Sequence, residues 1–177
     1  LMDACGPAAS PLAMRHRALI ALLWRSGLRL AEALALRPVD IDQATLSVRV
    51  LHGKGDQART TATDEHALEI INAWLVKRAT AWGIDRNAPV ICTRRGGLVH
   101  QSYLRRLFPQ LAEKAGVERR VHAHIFRHTF AVELSRAGVP VRDIQTLLGH
   151  SSLATTSVYL SSLSPEESLK HVRGRVW

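Results

Sequence analysis

Helix start and stop signals recur along this chain, and they restrict it to a mostly helical fold. Ser10-Pro11 supplies an N-cap followed by proline at the first helical position. Leu12, Leu19, Leu22 and Leu23 follow as apolar positions, and Gly27 ends the run as a C-terminal cap would. A second helix is expected from about Arg29 to Leu36, stopping before Pro38. Asp64 caps another, which carries Leu68, Ile71, Leu75 and Trp82 and closes at Gly83. Helices are also expected over 102–115, with Pro109 kinking or splitting it, over 123–137 and over 140–148, the last ending at Gly149. Ser152 and Ser164-Pro165 start two more.

Between the helices lie short extended pieces. Leu46-Ser47-Val48-Arg49-Val50 alternates apolar and polar, as a half-buried strand does. Gly53-Lys54-Gly55-Asp56 is a turn, and Ala58 to Ala62 returns as the second strand of a hairpin. Pro89-Val90-Ile91-Cys92 is the candidate third strand. The fold class is therefore α+β, mostly α-helical, with a small three-stranded antiparallel sheet. Residues 1–10, with Gly6, Pro7 and Ser10, read as a loose lead-in.

The chain has 177 residues, enough for one domain with a real core. Its 24 Lys and Arg exceed its 15 Asp and Glu, for a formal net charge of +9. A basic surface favours polyanions: DNA, RNA or acidic lipid. Cys5 and Cys92 are too few for a disulfide framework and are not arranged as a CxxC metal site, so a reducing cytosol is the default compartment. No apolar run approaches the roughly 20 residues of a membrane span, and no cleavable signal is visible. Leu1 precedes Met2, as at a fragment boundary.

Several side chains suit phosphodiester chemistry. Negative charge grows on the non-bridging oxygens in the transition state, and fixed cations aimed there lower the barrier. Arginine stays charged and can bind two oxygens at once. Arg29 opens a helix after Gly27-Leu28, where backbone N–H groups also favour anions; alone it would read as a surface arginine. His124 and Arg127, three apart, share a helical face, while His128 points about 100° away; alone they would read as a polar face. Lys54 sits at a Gly-Lys-Gly tip, from which an ammonium can protonate a leaving oxygen. His150 follows a helix-ending glycine, where it can meet a phosphate or simply complement the helix dipole. Tyr159 needs nearby cations or a proton acceptor to become a nucleophile. Asp56 and Arg59 read as turn and backbone-contact residues. His124 and His128 also have the i, i+4 spacing of zinc ligands, but there is no HExxH and no nearby cysteine, which favours a metal-free site.

Taken together, Gly27-Leu28-Arg29-Leu30-Ala31-Glu32, Gly53-Lys54-Gly55, His124-Ile125-Phe126-Arg127-His128-Thr129-Phe130-Ala131 and Leu148-Gly149-His150-Ser151-Ser152 through Val158-Tyr159 resemble the catalytic domain of the tyrosine recombinase, or phage integrase, family. The pieces occur in family order from about residue 12 to 162. The resemblance implies that Arg29, His124, Arg127 and His150 hold and polarise the scissile phosphate of double-stranded DNA. Lys54 would be the general acid, Tyr159 the nucleophile giving a 3′-phosphotyrosine, and Glu32 a support for Arg29. No metal, ATP or other cofactor is implied. The expected division is a lead-in over 1–10, a catalytic domain over 11–163 and a C-terminal helix or tail over 164–177. The expected assembly is a homotetramer on DNA, weak or monomeric without it, in the bacterial cytoplasm and on no membrane. Family members usually carry an N-terminal helical domain that closes around DNA, and this chain is expected to be the catalytic half of a longer protein. The stretch Arg59-Thr60-Thr61-Ala62-Thr63 is more polar than the family pattern.

Three rivals stand beside this reading. Gly138 through Tyr159 resembles a helix-turn-helix, which would suit a DNA-binding module without catalysis. A relaxing topoisomerase uses a similar residue set without exchanging partners. A degenerate relative would bind DNA without cutting it.

Overall fold

The computed structural model describes residues 1–51 and 58–149. Its central element is α1 (Pro11–Arg25), which begins as its caps require: the Ser10 hydroxyl accepts the Ala13 N–H, and Pro11 occupies the first turn. Ala13, Ala18, Leu19, Ile20, Ala21, Leu22 and Leu23 are all buried, because α1 is flanked by neighbours on more than one side. These are α2 (Leu30–Ala35), α3 (Glu65–Trp82) and α5 (Ala123–Arg136). Asp64 caps α3 through the Ala67 N–H at 2.9 Å, and Gly83 ends it in the left-handed conformation.

The sheet has three antiparallel strands in the order β1 (Ile41–Asp42), β2 (Ser47–Val50), β3 (Arg59–Ala62). Ser47 pairs with Ala62 and Val50 with Arg59, so polar β3 keeps the expected hairpin partner. Thr61 is buried, with its hydroxyl donating to the Ser26 carbonyl at 3.1 Å. The third strand is not the expected Pro89–Cys92 but Ile41–Asp42. The carbonyls of that apolar run are claimed by side chains instead of a ladder. The indole of Trp74 donates to Val90 O at 2.7 Å, Arg78 donates to Pro89 O, and Arg15 donates to Cys92 O at 3.2 Å. Only Cys92 forms a bridge, to Leu98.

Of the kink or split expected at Pro109, the split does not occur: the helix α4 (Gln101–Lys114) runs unbroken through it. Pro109 and Arg105 both lie on its exposed face, so the carbonyl that Pro109 cannot serve is open to water. Residues 1–10 are not loose: Leu1, Met2, Ala4 and Cys5 pack on the core, and Arg17 ties down the carbonyls of Met2 and Gly6. Finally α6 (Val141–Leu148) ends at Gly149 (φ 63°) and forms a small second core with α5 through Phe130, Ala131, Ile144 and Leu148. It also lies against β3. No described helix is long and apolar enough to cross a membrane.

Candidate active site

A left-handed turn at Gly27 (φ 61°) carries the chain from α1 into α2 and leaves Arg29 as the N-cap residue, with an extended backbone. One turn later, Glu32 reaches back. Its Oε2 accepts the Arg29 N–H at 2.7 Å and its Oε1 accepts Arg29 Nη1 at 2.8 Å. The anion-favouring start of α2 is thus filled by a carboxylate of the same chain, and the cationic character of the site comes from side chains.

Two further guanidiniums meet that carboxylate. Arg59, the first residue of β3, binds it in a bidentate fork, Nη1 to Oε1 and Nη2 to Oε2, both at 2.7 Å. From α5, Arg127 brings Nη1 to 4.0 Å from Oε2. All three arginines also hold the end of α6. Arg59 Nε donates to Leu147 O at 2.9 Å, Arg127 Nη2 to Leu148 O, and Arg29 Nη2 to Gly149 O at 3.0 Å. Arg127 Nη1 further donates to Gly27 O at 2.6 Å. Carbonyls at a helix C-terminus carry partial negative charge and lack intrahelical partners, which makes them natural acceptors for guanidiniums.

The charges do not cancel. Among the described residues, three guanidiniums meet one carboxylate, an excess of two positive charges in a largely buried cluster. Glu32 is 6% exposed, and burial alone would raise its carboxyl. Hydrogen bonds from Arg59, then from the Arg29 backbone and side chain, instead pull it down to about 2. Arg127 is 2% exposed, while Arg29 keeps partial access to solvent and is the guanidinium best placed to meet an incoming anion.

His124 lies three residues before Arg127 and is exposed at the start of α5. Partial desolvation against its neighbours lowers its pKa although the residue keeps access to solvent, and Arg127, His122, His128 and Arg29 lower it further, which favours the neutral imidazole. His122, the N-cap of α5, makes no side-chain capping bond and has its ring 6.5 Å from that of His124. His128 is lowered by burial and then by Arg119, consistent with its turning away from the Arg127 face. Among the described residues, no group of three or more His, Cys, Asp or Glu is placed to hold a metal ion.

The structure therefore brings together Arg29, Glu32 and Arg127, with His124 within electrostatic reach of both arginines. Lys54, His150 and Tyr159 lie outside the described residues. Arg59 is the residue whose role sequence reasoning missed. It lies in the expected strand, but its side chain is 9% exposed and bound to Glu32 instead of reaching outward as a backbone-contact residue. A charged residue at the edge of a polar strand gives no sign that a buried carboxylate awaits it. The other tyrosine, Tyr103, is engaged elsewhere, with its hydroxyl 2.8 Å from His16 Nε2.

The profile of the Phage integrase family matches residues 1–165. The tyrosine recombinase XerC of Xanthomonas campestris pv. campestris (strain B100) is 39% identical over 153 residues, covering 86% of this chain and 46% of that protein. The tyrosine recombinase XerD of Mycobacterium tuberculosis (strain CDC 1551 / Oshkosh) is 36% identical over 155 residues, covering 86% of this chain and 50% of that protein. The crystal structure of XerA recombinase superposes with a TM-score of 0.80 at 28% identity, over 96% of this chain and 61% of that one. The chain spans about half the length of the curated relatives it matches. With the family profile covering nearly all of it, the chain belongs to the phage integrase family, the tyrosine recombinases.

Proposed function

We propose that this chain cleaves and rejoins double-stranded DNA by site-specific recombination through a covalent 3′-phosphotyrosine. The observation that carries the reading is the convergence of Arg29 and Arg127, from opposite ends of the sequence, on one buried carboxylate with positive charge to spare. Residues 11–163 form the catalytic domain in this reading, supported by the reach of the family profile.

The chemistry follows from the residues. The Tyr159 phenol oxygen attacks phosphorus, and the bond from phosphorus to the 5′ oxygen breaks. Lys54 gives that oxygen a proton, so the leaving group departs as a 5′-hydroxyl. Arg29, Arg127 and His150 stabilise the charge on the non-bridging oxygens. His124 also touches the phosphate; with its neutral form favoured by partial desolvation and by its cationic neighbours, it can take up the proton that the phenol loses. Glu32 holds Arg29 in place. The phosphodiester becomes a phosphotyrosine diester, and a 5′-hydroxyl from another strand reverses the step without ATP. Exchange between two duplexes needs four such sites, which is the reason to read the working assembly as a homotetramer on DNA.

A DNA-binding module without catalysis would account for the basic charge. It would have no need of a buried carboxylate that organises three arginines. The test is a duplex nicked close to the cleavage position, so that the short leaving strand diffuses away. The wild-type chain should form an adduct that survives denaturant, and Tyr159→Phe should form none. An adduct in the Phe variant would remove Tyr159 as nucleophile, and no adduct with any DNA substrate would favour the binding module. A topoisomerase-like outcome would appear as relaxation of supercoiled DNA without strand exchange.

A further inference from the structure

We infer that Arg59 is a positioning residue for the phosphate grip: it takes up the charge of Glu32 so that Arg29 is oriented by that carboxylate without being neutralised by it. The inference rests on the reading of Arg29 as a phosphate-binding residue.

The geometry separates the two arginines. Every nitrogen of the Arg59 side chain is committed to the protein: Nη1 and Nη2 to the two oxygens of Glu32, and Nε to Leu147 O. Its side chain is 9% exposed against 28% for Arg29. Arg29 meets Glu32 through a single guanidinium nitrogen, and its Nη2 rests on the carbonyl of Gly149 at the partly open side of the cluster. A carboxylate held by one arginine alone would form a closed ion pair with it. Divided between a bidentate partner and a monodentate one, Glu32 can fix the direction of Arg29 while its charge is offset elsewhere. The same side chain sets the path of α6. A Cβ on Gly149 would lie 2.7 Å from Arg59 Cδ, so this turn fits around Arg59 only as glycine, and His150 follows directly.

The test is a double-mutant cycle. The chain is prepared as Arg59→Met, Arg59→Lys, Glu32→Gln and Arg59→Met/Glu32→Gln. Melting temperature, affinity for a duplex and the rate of adduct formation at saturating DNA are measured for each. In Arg59→Met, Arg29 collapses onto Glu32, and affinity should fall by about tenfold or more, the scale of one charge-assisted hydrogen bond. The adduct rate should fall as well. Removing the carboxylate charge in the double variant should restore most of the affinity but only part of the rate, because Arg29 is then free but no longer aimed. Arg59→Lys should not match wild type, since an ammonium cannot form the fork; this variant decides the matter if the Met variant fails to fold.

A Met variant that melts lower yet binds and reacts as wild type would overturn the inference. So would a double variant no better than Arg59→Met, which would place Arg59 on the DNA itself, or a Lys variant indistinguishable from wild type. The affinity cycle decides the role of Arg59 even in a chain that forms no adduct, whereas a missing wild-type adduct counts against the proposed chemistry alone.

Discussion

Glu32 grips Arg29 twice, through the backbone N–H at 2.7 Å and through Nη1 at 2.8 Å, so one carboxylate fixes both where this arginine starts and where its guanidinium points. Replacing it with Gln leaves three buried or half-buried guanidiniums without their counter-charge. Breaking a buried ion pair by removing one partner typically costs about 3–5 kcal/mol. Glu32→Gln should therefore lose stability on that scale in urea unfolding, and a loss under about 1 kcal/mol would mean that water already screens the cluster.

Gly27 and Gly83 offer a matched comparison. Both are left-handed, at φ 61° and φ 64°. A Cβ on Gly27 would fall 2.4 Å from Cδ1 of Phe130, whereas nothing lies within 4 Å of one on Gly83. Gly83→Ala should cost only the left-handed backbone term, about 1–2 kcal/mol. Gly27→Ala should cost about 1–3 kcal/mol more from overpacking, and it displaces the carbonyl that holds Arg127. Equal costs for the two variants in urea unfolding would show that the Phe130 ring moves aside freely.

Stability should fall in two steps as the solution is acidified. Burial, and then Arg15, push the His16 imidazole down to about 4. An unfolded histidine titrates near ~6.5, so the unfolded chain takes up the proton first. The contribution of His16 is complete above ~6.5 and is lost as pH falls towards 4, to a limit of about 3 kcal/mol. Glu32 acts lower, because its carboxyl sits at about 2. Its share persists until pH drops below ~4.3 and disappears towards 2. Melting temperature measured from neutral pH down to 4.5 should decline in the wild type and decline less in His16→Gln, where His124 and His128, also lowered, still titrate in that window. Parallel curves would show that His16 is not the titrating group.

Binding of duplex DNA by this chain should be strongly salt-dependent. Each phosphate neutralised contributes about 0.9 to the slope of log affinity against log salt. Arg29→Ala should lower that slope by about one such increment, as a lost phosphate contact would. An unchanged slope would place Arg29 off the DNA.

Much of this architecture was legible because its signals are local. Ser10-Pro11, Asp64 and Gly83 mark helix ends through bonds to residues within one turn, and the structure uses each of them. The third strand was not legible, because Ile41–Asp42 is too short to show a period. The apolar run at 89–92 lost its ladder to Trp74, Arg78 and Arg15, from two different helices. The site divides in the same way. Arg29 and Glu32 are neighbours on one short helix, and Arg127 and His124 on another, so spacing finds them. Arg59 owes its place to a carboxylate 27 residues away and a carbonyl 88 residues away, which no local pattern encodes.

The most direct test is to find the atom that holds the DNA. Adduct formed on the nicked duplex is denatured and digested with protease and nuclease, and the surviving nucleotide–peptide is sequenced by mass spectrometry. A 3′-phosphonucleotide on Tyr159 is the expected product. A nucleotide on Tyr103, on a serine, or joined through a 5′ phosphate would contradict the proposed chemistry.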